Sequence, residues 1–355
     1  MRQFTRSAAL GFLTLLLACS AQADVCTDWT VFKARFLTSD GRVVDRFQNS
    51  VSHSEGQGYG LVVAALCDDR ETFASLWEWT RDNMQVRRTD SLLAWAWGER
   101  LPGQWAVLDF NNATDGDILV AWGLLLGAKQ WSESAYETEA TGLIASIREH
   151  LGVHHQGRLV LLPGYHGFLK SDSIRLNPSY YIPSAFQAFA EKDDADFWNT
   201  AQADSLALLE ASLVPPLMLP PDWIVLAEDS EQPLPAGDEP VFGFETIRVP
   251  LYLSWAGATS ALPELEGLVR SLDQAGHIPQ RIDLTDGSFS QESGSAGFYA
   301  VFARAAQDLG MLETAERWWN EAARKFMDEK DDYYSNILYV LSRLEETNIP
   351  QADTP

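Results

Sequence analysis

The chain has 355 residues, 46% of them apolar and 11% aromatic, enough to bury a large core. Its 26 basic and 50 acidic side chains give a formal net charge of −24, which argues against nucleic acid or anionic lipid as partner and against a polyanionic substrate. A neutral substrate suits such a surface better, and the 13 tryptophans, though mostly core, include faces of the kind that bind sugar rings. At the start, Arg2 and Arg6 precede an apolar run from Ala8 to Ala18, and Ala21-Gln22-Ala23 is a small-residue cleavage site. Residues 1–23 are therefore expected to be a signal peptide, with a lipoprotein site through Leu16-Leu17-Ala18-Cys19 as the alternative. The run of 11 residues is too short to span a bilayer, so after cleavage no membrane segment is expected and the protein is periplasmic or secreted. Loss of Arg2 and Arg6 takes the charge from −24 to −26. Residues 24–355 show no linker or low-complexity break and read as one domain.

Helical periodicity then recurs in pairs. Trp29 to Leu37 packs through Trp29, Phe32 and Phe36. The apolar run opened by Glu55 is followed by amphipathic Arg70 to Met84, and the apolar run from Asp115 to Trp131 by the more polar Tyr136 to His150. The alternation continues through Ile182 to Ala190, Ala195 to Leu213, Thr246 to Trp255, Ala261 to Asp273, Ala296 to Leu309, Glu313 to Asp328 and Asp332 to Leu344. About a dozen helices, buried and amphipathic by turns and without a fixed-period repeat, predict an all-α barrel with an inner and an outer ring. Between them run long irregular connections: Val86 to Asn111 with Trp95, Trp97 and Trp105, Gly157 to Tyr180, and Val214 to Glu245 with seven of the sixteen prolines. Loops of that length inside a compact domain usually carry function. Cys26 and Cys67 could pair in an oxidising compartment or stand as two thiols, and their spacing is not that of a metal site. His150 and His154 are four apart, but Gly152 interrupts any helix between them, so no metal site is expected.

Three acids stand at the starts of apolar helices. Thr114 and Asp117 have the spacing of a capping box, as do Ser54 and Gln57, which places Asp115 and Glu55 in the first turns of their helices. Glu245 precedes the third run, where Pro250 is tolerable only near a helix start. Neighbouring helices running the same way would bring the three acids to one end of the barrel. Two carboxylates across a cleft are the usual means of cleaving a glycosidic bond. The helix dipole should lower the Glu55 pKa, and burial beside aromatic rings with the charge of Asp115 nearby should raise it.

Ser54-Glu55-Gly56-Gln57-Gly58-Tyr59-Gly60, Ala113-Thr114-Asp115-Gly116-Asp117, Asn177-Pro178-Ser179-Tyr180, Pro221-Asp222-Trp223 and Arg248-Val249-Pro250 resemble, in order and spacing, the motifs of glycoside hydrolase family 8. Within it the chain is most similar to the periplasmic endo-β-1,4-glucanases encoded with bacterial cellulose synthases. The resemblance implies an (α/α)6 barrel and an exported, inverting endoglucanase that needs no cofactor or metal. It implies a monomer acting on β-1,4-glucan in bacterial cellulose biosynthesis, with a cellulose synthase complex as a partner. Alternatives are the same fold acting on chitosan, xylan or mixed-linkage glucan, or a non-catalytic glucan-binding protein. Position by position, Glu55 matches the general acid, Asp115 the acid that holds the sugar at the cleavage subsite, Glu245 the base and Arg248 an active-site arginine. Tyr59 and Tyr180 match aromatic motif positions and are expected to bind substrate. Trp105 joins them by its nearness to Asp115. The base position departs from the family, which has aspartate in a Tyr-Asp-Ala-x-Arg setting where this chain has Phe244-Glu245-Thr246-Ile247-Arg248. One more methylene moves the carboxylate by about 1.5 Å, in a site that needs roughly 6.5–9.5 Å between carboxyls to admit water.

Overall fold

The computed structural model describes residues 25–230 and 232–344. The expected leader and cleavage site, and Cys19, lie outside the described residues. Twelve α-helices are present among those described: α1 (25–36), α2 (Ser54–Leu66), α3 (Arg70–Asn83), α4 (Thr114–Trp131), α5 (Ser134–Leu151), α6 (Pro183–Ala190), α7 (Ala195–Ala211), α8 (Arg248–Trp255), α9 (Leu265–Ala275), α10 (Ala296–Asp308), α11 (Leu312–Asp328) and α12 (Tyr333–Ser342). The even-numbered helices touch in order around a ring, and α12 returns to α2 to close it. The odd-numbered helices pack outside. The fold is the (α/α)6 barrel that the alternation predicts.

Burial explains the two rings. Every residue of α8 is buried and α4 is buried from Thr114 to Ala128, so neither has a face for water. By contrast α11 buries only Thr314, Ala315, Trp318, Ala322 and Phe326, one stripe at helical spacing. At the barrel centre the rings of Trp122 and Trp255 lie 5.8 Å apart, with Tyr252 5.2 Å from Trp255.

The capping boxes do not form. Ser54 and Thr114 are the first residues of their helices, and the N-cap residues His53 and Ala113 make no side-chain cap. Because these helix starts are interior, their polar side chains are drawn into cross-links between loops and helices. Gln57 accepts from the Val43 N–H at 2.7 Å and donates to Thr80 Oγ1 at 2.8 Å, while Thr114 Oγ1 donates to the Leu162 carbonyl at 2.5 Å. Asp117 accepts from the Leu93 N–H at 2.9 Å and from Asn112 Nδ2 at 2.7 Å. Caps do form at more exposed starts, where Asp69, Asp194 and Asp332 each accept from a first-turn N–H. The helix expected from Ala261 begins instead at Leu265, after a 3-10 turn at Thr259–Ala261, because Pro263 lacks an N–H and disfavours helix in the residue before it.

The long connections are more regular than their composition suggests. Ala96–Leu101 and Gln104–Asp109 form a hairpin joined at its edge by Ser52–His53, in the register Ser52 opposite Trp97 and His53 opposite Ala96. Ser173–Leu176, Ile224–Ala227 and Leu234–Pro235 form a second antiparallel sheet. Both sheets come from loops that lead into inner helices. Cys26 and Cys67 are bonded, with Cα atoms 5.5 Å apart, fixing α1 to the end of α2.

Candidate active site

Each inner helix begins at the same end of the barrel, and residues at or just ahead of those starts line one groove. Glu55 comes from α2, Asp115 from α4, Tyr180 from the turn before α6, Glu245 and Arg248 from the start of α8, and Tyr333 and Tyr334 from α12; they share a cavity of about 680 Å³. A second cavity of about 1050 Å³ is continuous with it through Glu55, Glu245, Arg248 and Tyr334, and there α10 contributes Ser295 from its N-cap. Helix starts present unpaired N–H groups and a positive dipole end, a setting that suits anionic side chains.

Arg248 organises the acids. Its Nη1 donates to Glu55 and, at 2.8 Å, to Asp115; its Nη2 donates to Glu245 and, at 2.8 Å, to Ser179 Oγ. Its Nε donates to the Glu245 carbonyl at 3.1 Å. With all its N–H directions occupied inside the protein, the guanidinium clamps the acids together, and Arg248 lines the groove beside them. Glu245 is held from the other side by Asn177 Nδ2 at 3.0 Å, and Asn177 Oδ1 also accepts from the Ser179 hydroxyl at 2.7 Å. The turn that carries Glu245 is fixed by Asp222, whose Oδ1 accepts from the Gly243 N–H at 2.9 Å, the Thr246 N–H at 3.0 Å and the Thr246 hydroxyl at 2.6 Å.

The three acids differ in exposure. The Asp115 side chain is 4% exposed, that of Glu55 18% and that of Glu245 33%. Burial raises the Glu55 carboxyl above the usual range, Arg248 pulls it back and the charge of Glu245 pushes it up again. Burial, then the charge of Glu55, pushes Asp115 up to about 7. A single cation among three carboxylates leaves the group short of positive charge, so a proton is retained near neutral pH on the drier members. Asp117, also buried, is pushed up to about 8 but is engaged by Leu93 and Asn112 outside the groove. Its part is to tie a loop to α4.

The aromatic expectations divide. Tyr180 lines the groove, with the Arg248 guanidinium 5.7 Å from its ring centre. Tyr59 does not reach it: fully buried, its hydroxyl lies 3.2 Å from Glu55 and 2.6 Å from the Tyr252 hydroxyl, so it supports the acid from behind. Trp105 is absent from the lining as well. Strand pairing sets it opposite Glu99 and 5.4 Å from Trp97, with the Arg42 guanidinium 4.9 Å from its ring centre. The tryptophan in the groove is Trp95, brought beside the start of α2 by the Ser54 N–H bond to its carbonyl at 3.0 Å and stacked on His53 at 5.6 Å. Sequence reading missed Trp95, Tyr333, Tyr334 and the roles of Asn177 and Asp222. Asking which side chains open each inner helix would have found the two tyrosines.

An open groove with aromatic walls, at the helix-start end of an (α/α)6 barrel and holding three carboxylates around one arginine, defines a glycoside hydrolase of the two-carboxylate kind. The chain belongs to glycosyl hydrolases family 8, whose sequence profile matches residues 4–348. It is 34% identical over 355 residues to a probable endoglucanase of Novacetimonas hansenii, covering 96% of this chain and 98% of that protein. To an endoglucanase of Cellulomonas uda it is 41% identical over 237 residues, which are 66% of this chain and 65% of that protein. The crystal structure of endoglucanase Cel10, a family 8 glycosyl hydrolase from Klebsiella pneumoniae, matches with a TM-score of 0.79 at 36% identity, covering 91% of this chain and 99% of that one.

Proposed function

We propose that the protein is an inverting endo-β-1,4-glucanase, exported as a single catalytic domain from Asp24 onward, that cleaves β-1,4-glucan during cellulose synthesis. The relatives named endoglucanase support the substrate class. The observation that carries the chemistry is the graded exposure of three carboxylates on one buried guanidinium. Glu55, drier and with its pKa raised, is suited to hold a proton; Glu245, the wettest of the three, is suited to meet water. In the reaction Glu55 gives its proton to the glycosidic oxygen as the bond to the anomeric carbon breaks. Glu245 takes a proton from the water whose oxygen attacks that carbon from the opposite face. Asp115 holds the sugar between them, and Arg248 keeps the acids in place.

The test is reducing-end release from carboxymethylcellulose, chitosan, xylan and mixed-linkage glucan, with the anomer of the first product followed by NMR. The expected result is release of the α-anomer from the cellulose derivative, reduced about a hundredfold to ten-thousandfold in Glu55→Gln and in Glu245→Gln. Preferred cleavage of another polymer would replace the substrate, a β-anomer product would overturn inversion, and glucan binding without any cleavage would make this a binding protein.

A further inference from the structure

Glu55 is held by one oxygen only. Arg248 Nη1 and, at 3.2 Å, the Tyr59 hydroxyl both donate to its Oε1, whereas Oε2 takes part in no hydrogen bond among the described residues. Behind that bond lies a second hydroxyl. Tyr252, on α8 and so across the ring from α2, brings its oxygen to 2.6 Å from that of Tyr59. Both phenols are shut off from solvent, and burial pushes both up, so each keeps its hydrogen. The acceptors at hand fix where those hydrogens point. Tyr252 has no acceptor other than Tyr59 among the described residues, and a buried donor without a partner is costly. Its hydrogen therefore points to Tyr59, and the hydrogen of Tyr59 points on to Glu55.

We propose that Tyr59 and Tyr252 are positioning residues for the acid, a relay of two hydroxyls from Tyr252 to Tyr59 to Glu55 that keeps Oε1 an acceptor and leaves Oε2 to carry the proton given to the glycosidic oxygen. The proposal rests on the reading of Glu55 as general acid. Oε1 already receives two donors, so a proton placed there would set hydrogen against hydrogen; on Oε2 it opposes nothing. When Oε2 gives up that proton the relay tightens, because a hydroxyl donates more strongly to an anion than to a neutral acid. Burial raises the Glu55 carboxyl, and after the charges of Arg248 and Glu245 the Tyr59 bond draws it back. Facing Glu55 as well are Asp115 from α4, Glu245 and Arg248 from the start of α8, Tyr180 ahead of α6, and Tyr333 and Tyr334 from α12. Exchanging tyrosine for phenylalanine in the relay leaves all of them in place.

The experiment compares the intact protein with Tyr59→Phe, Tyr252→Phe and the double variant, all of which keep both rings. The Glu55 carboxyl is titrated by carbon NMR, its signal identified by its absence from Glu55→Gln, and kcat and KM on cellohexaose are followed against pH. Without the Tyr59 donor the anion loses support, so in Tyr59→Phe the Glu55 midpoint is expected to rise by about one pH unit. The alkaline limb of kcat/KM should rise with it, and kcat should fall while KM holds. Tyr252→Phe removes only the reinforcement, a rise of about 0.1–0.3 pH unit, and adds nothing to Tyr59→Phe in the double variant. A Glu55 midpoint that stays or falls in Tyr59→Phe overturns the relay, as does a Tyr252→Phe shift that is absent, or that persists in the double variant. A higher KM with kcat untouched overturns it too, since the hydroxyls would then serve sugar binding. If the midpoint moves as expected while the alkaline limb stays, or while the intact protein cleaves no glucan, the relay stands and the general-acid reading falls.

Discussion

Arg248 meets Glu55 and Asp115 through the same nitrogen, so the charge on one of these acids is felt by the other. Both carboxyls stand above their ordinary range, through burial first; the charge of Glu245 adds to the rise at Glu55 and that of Glu55 to the rise at Asp115, and Arg248 offsets only part of each. A general acid must carry its proton, so activity is present below the Glu55 pKa and is lost as pH rises through it. Replacing Asp115 by asparagine removes a negative neighbour and leaves the guanidinium freer to favour the Glu55 anion. Both changes lower the Glu55 pKa. The descending alkaline limb of kcat/KM is therefore expected to move to lower pH in Asp115→Asn, together with a lower maximum. Profiles of the two proteins on one soluble substrate check it, and a limb that stays in place or moves up would show that Asp115 does not set the acid's proton.

Between elements, α2 and α4 approach closely, and small residues permit it. A methyl group on Gly123 would lie 2.7 Å from Leu61 Cβ and 3.2 Å from the Val62 nitrogen, and neither can yield without moving α2. Gly123→Ala is expected to destabilise the barrel by about 1–3 kcal/mol, read as a lower midpoint in denaturant, while Glu55 and Asp115 keep their chemistry at the far end of the helices. An unchanged midpoint would mean that the helices part at no cost. In the sequence Gly123 and Gly127 are only two glycines inside an apolar run; the structure supplies the partners, Leu61 for one and the Phe73 ring for the other. The same contrast holds across the fold. Helices buried on all sides were legible because an unbroken apolar run has few alternatives, and so was the meeting of Glu55, Asp115 and Glu245, since each precedes such a run. The capping boxes misled because spacing shows what Thr114 and Gln57 can reach locally, whereas Leu162 and Thr80 compete from distant parts of the chain. Nearness to Asp115 along the chain favours Trp105 over Trp95, yet it is Trp95 that lines the groove. Strand pairing beside Ser52–His53 separates them, and that is a long-range fact.

At the scale of the whole barrel the first helix bears on the last. Closure depends on α12 meeting α2, and α1 lies across that seam: Phe32 and Phe36 each pack 6.3 Å from Tyr333, and Arg35 donates to the Phe326 carbonyl at 2.5 Å and to Asn336 Oδ1 at 2.6 Å. On its other side α1 is tied to the end of α2 by the Cys26–Cys67 bond, which spans 41 residues. The disulfide therefore joins two neighbours of the seam, and by loop-closure entropy it stabilises the fold by about 4 kcal/mol, equivalent to about 5–10 °C in Tm for a chain of this size. The double variant Cys26→Ser with Cys67→Ser should lose that much in thermal unfolding. Its loosening should also be uneven, with hydrogen exchange quickening in α1 and at the start of α12 before it does in α6 on the opposite wall. Because Tyr333 and Tyr334 leave α12 to wall the groove, KM should rise in the variant more than kcat falls. A uniform loss of protection would assign the bond to global stability alone, and an unchanged Tm would remove α1 from the closure of the barrel.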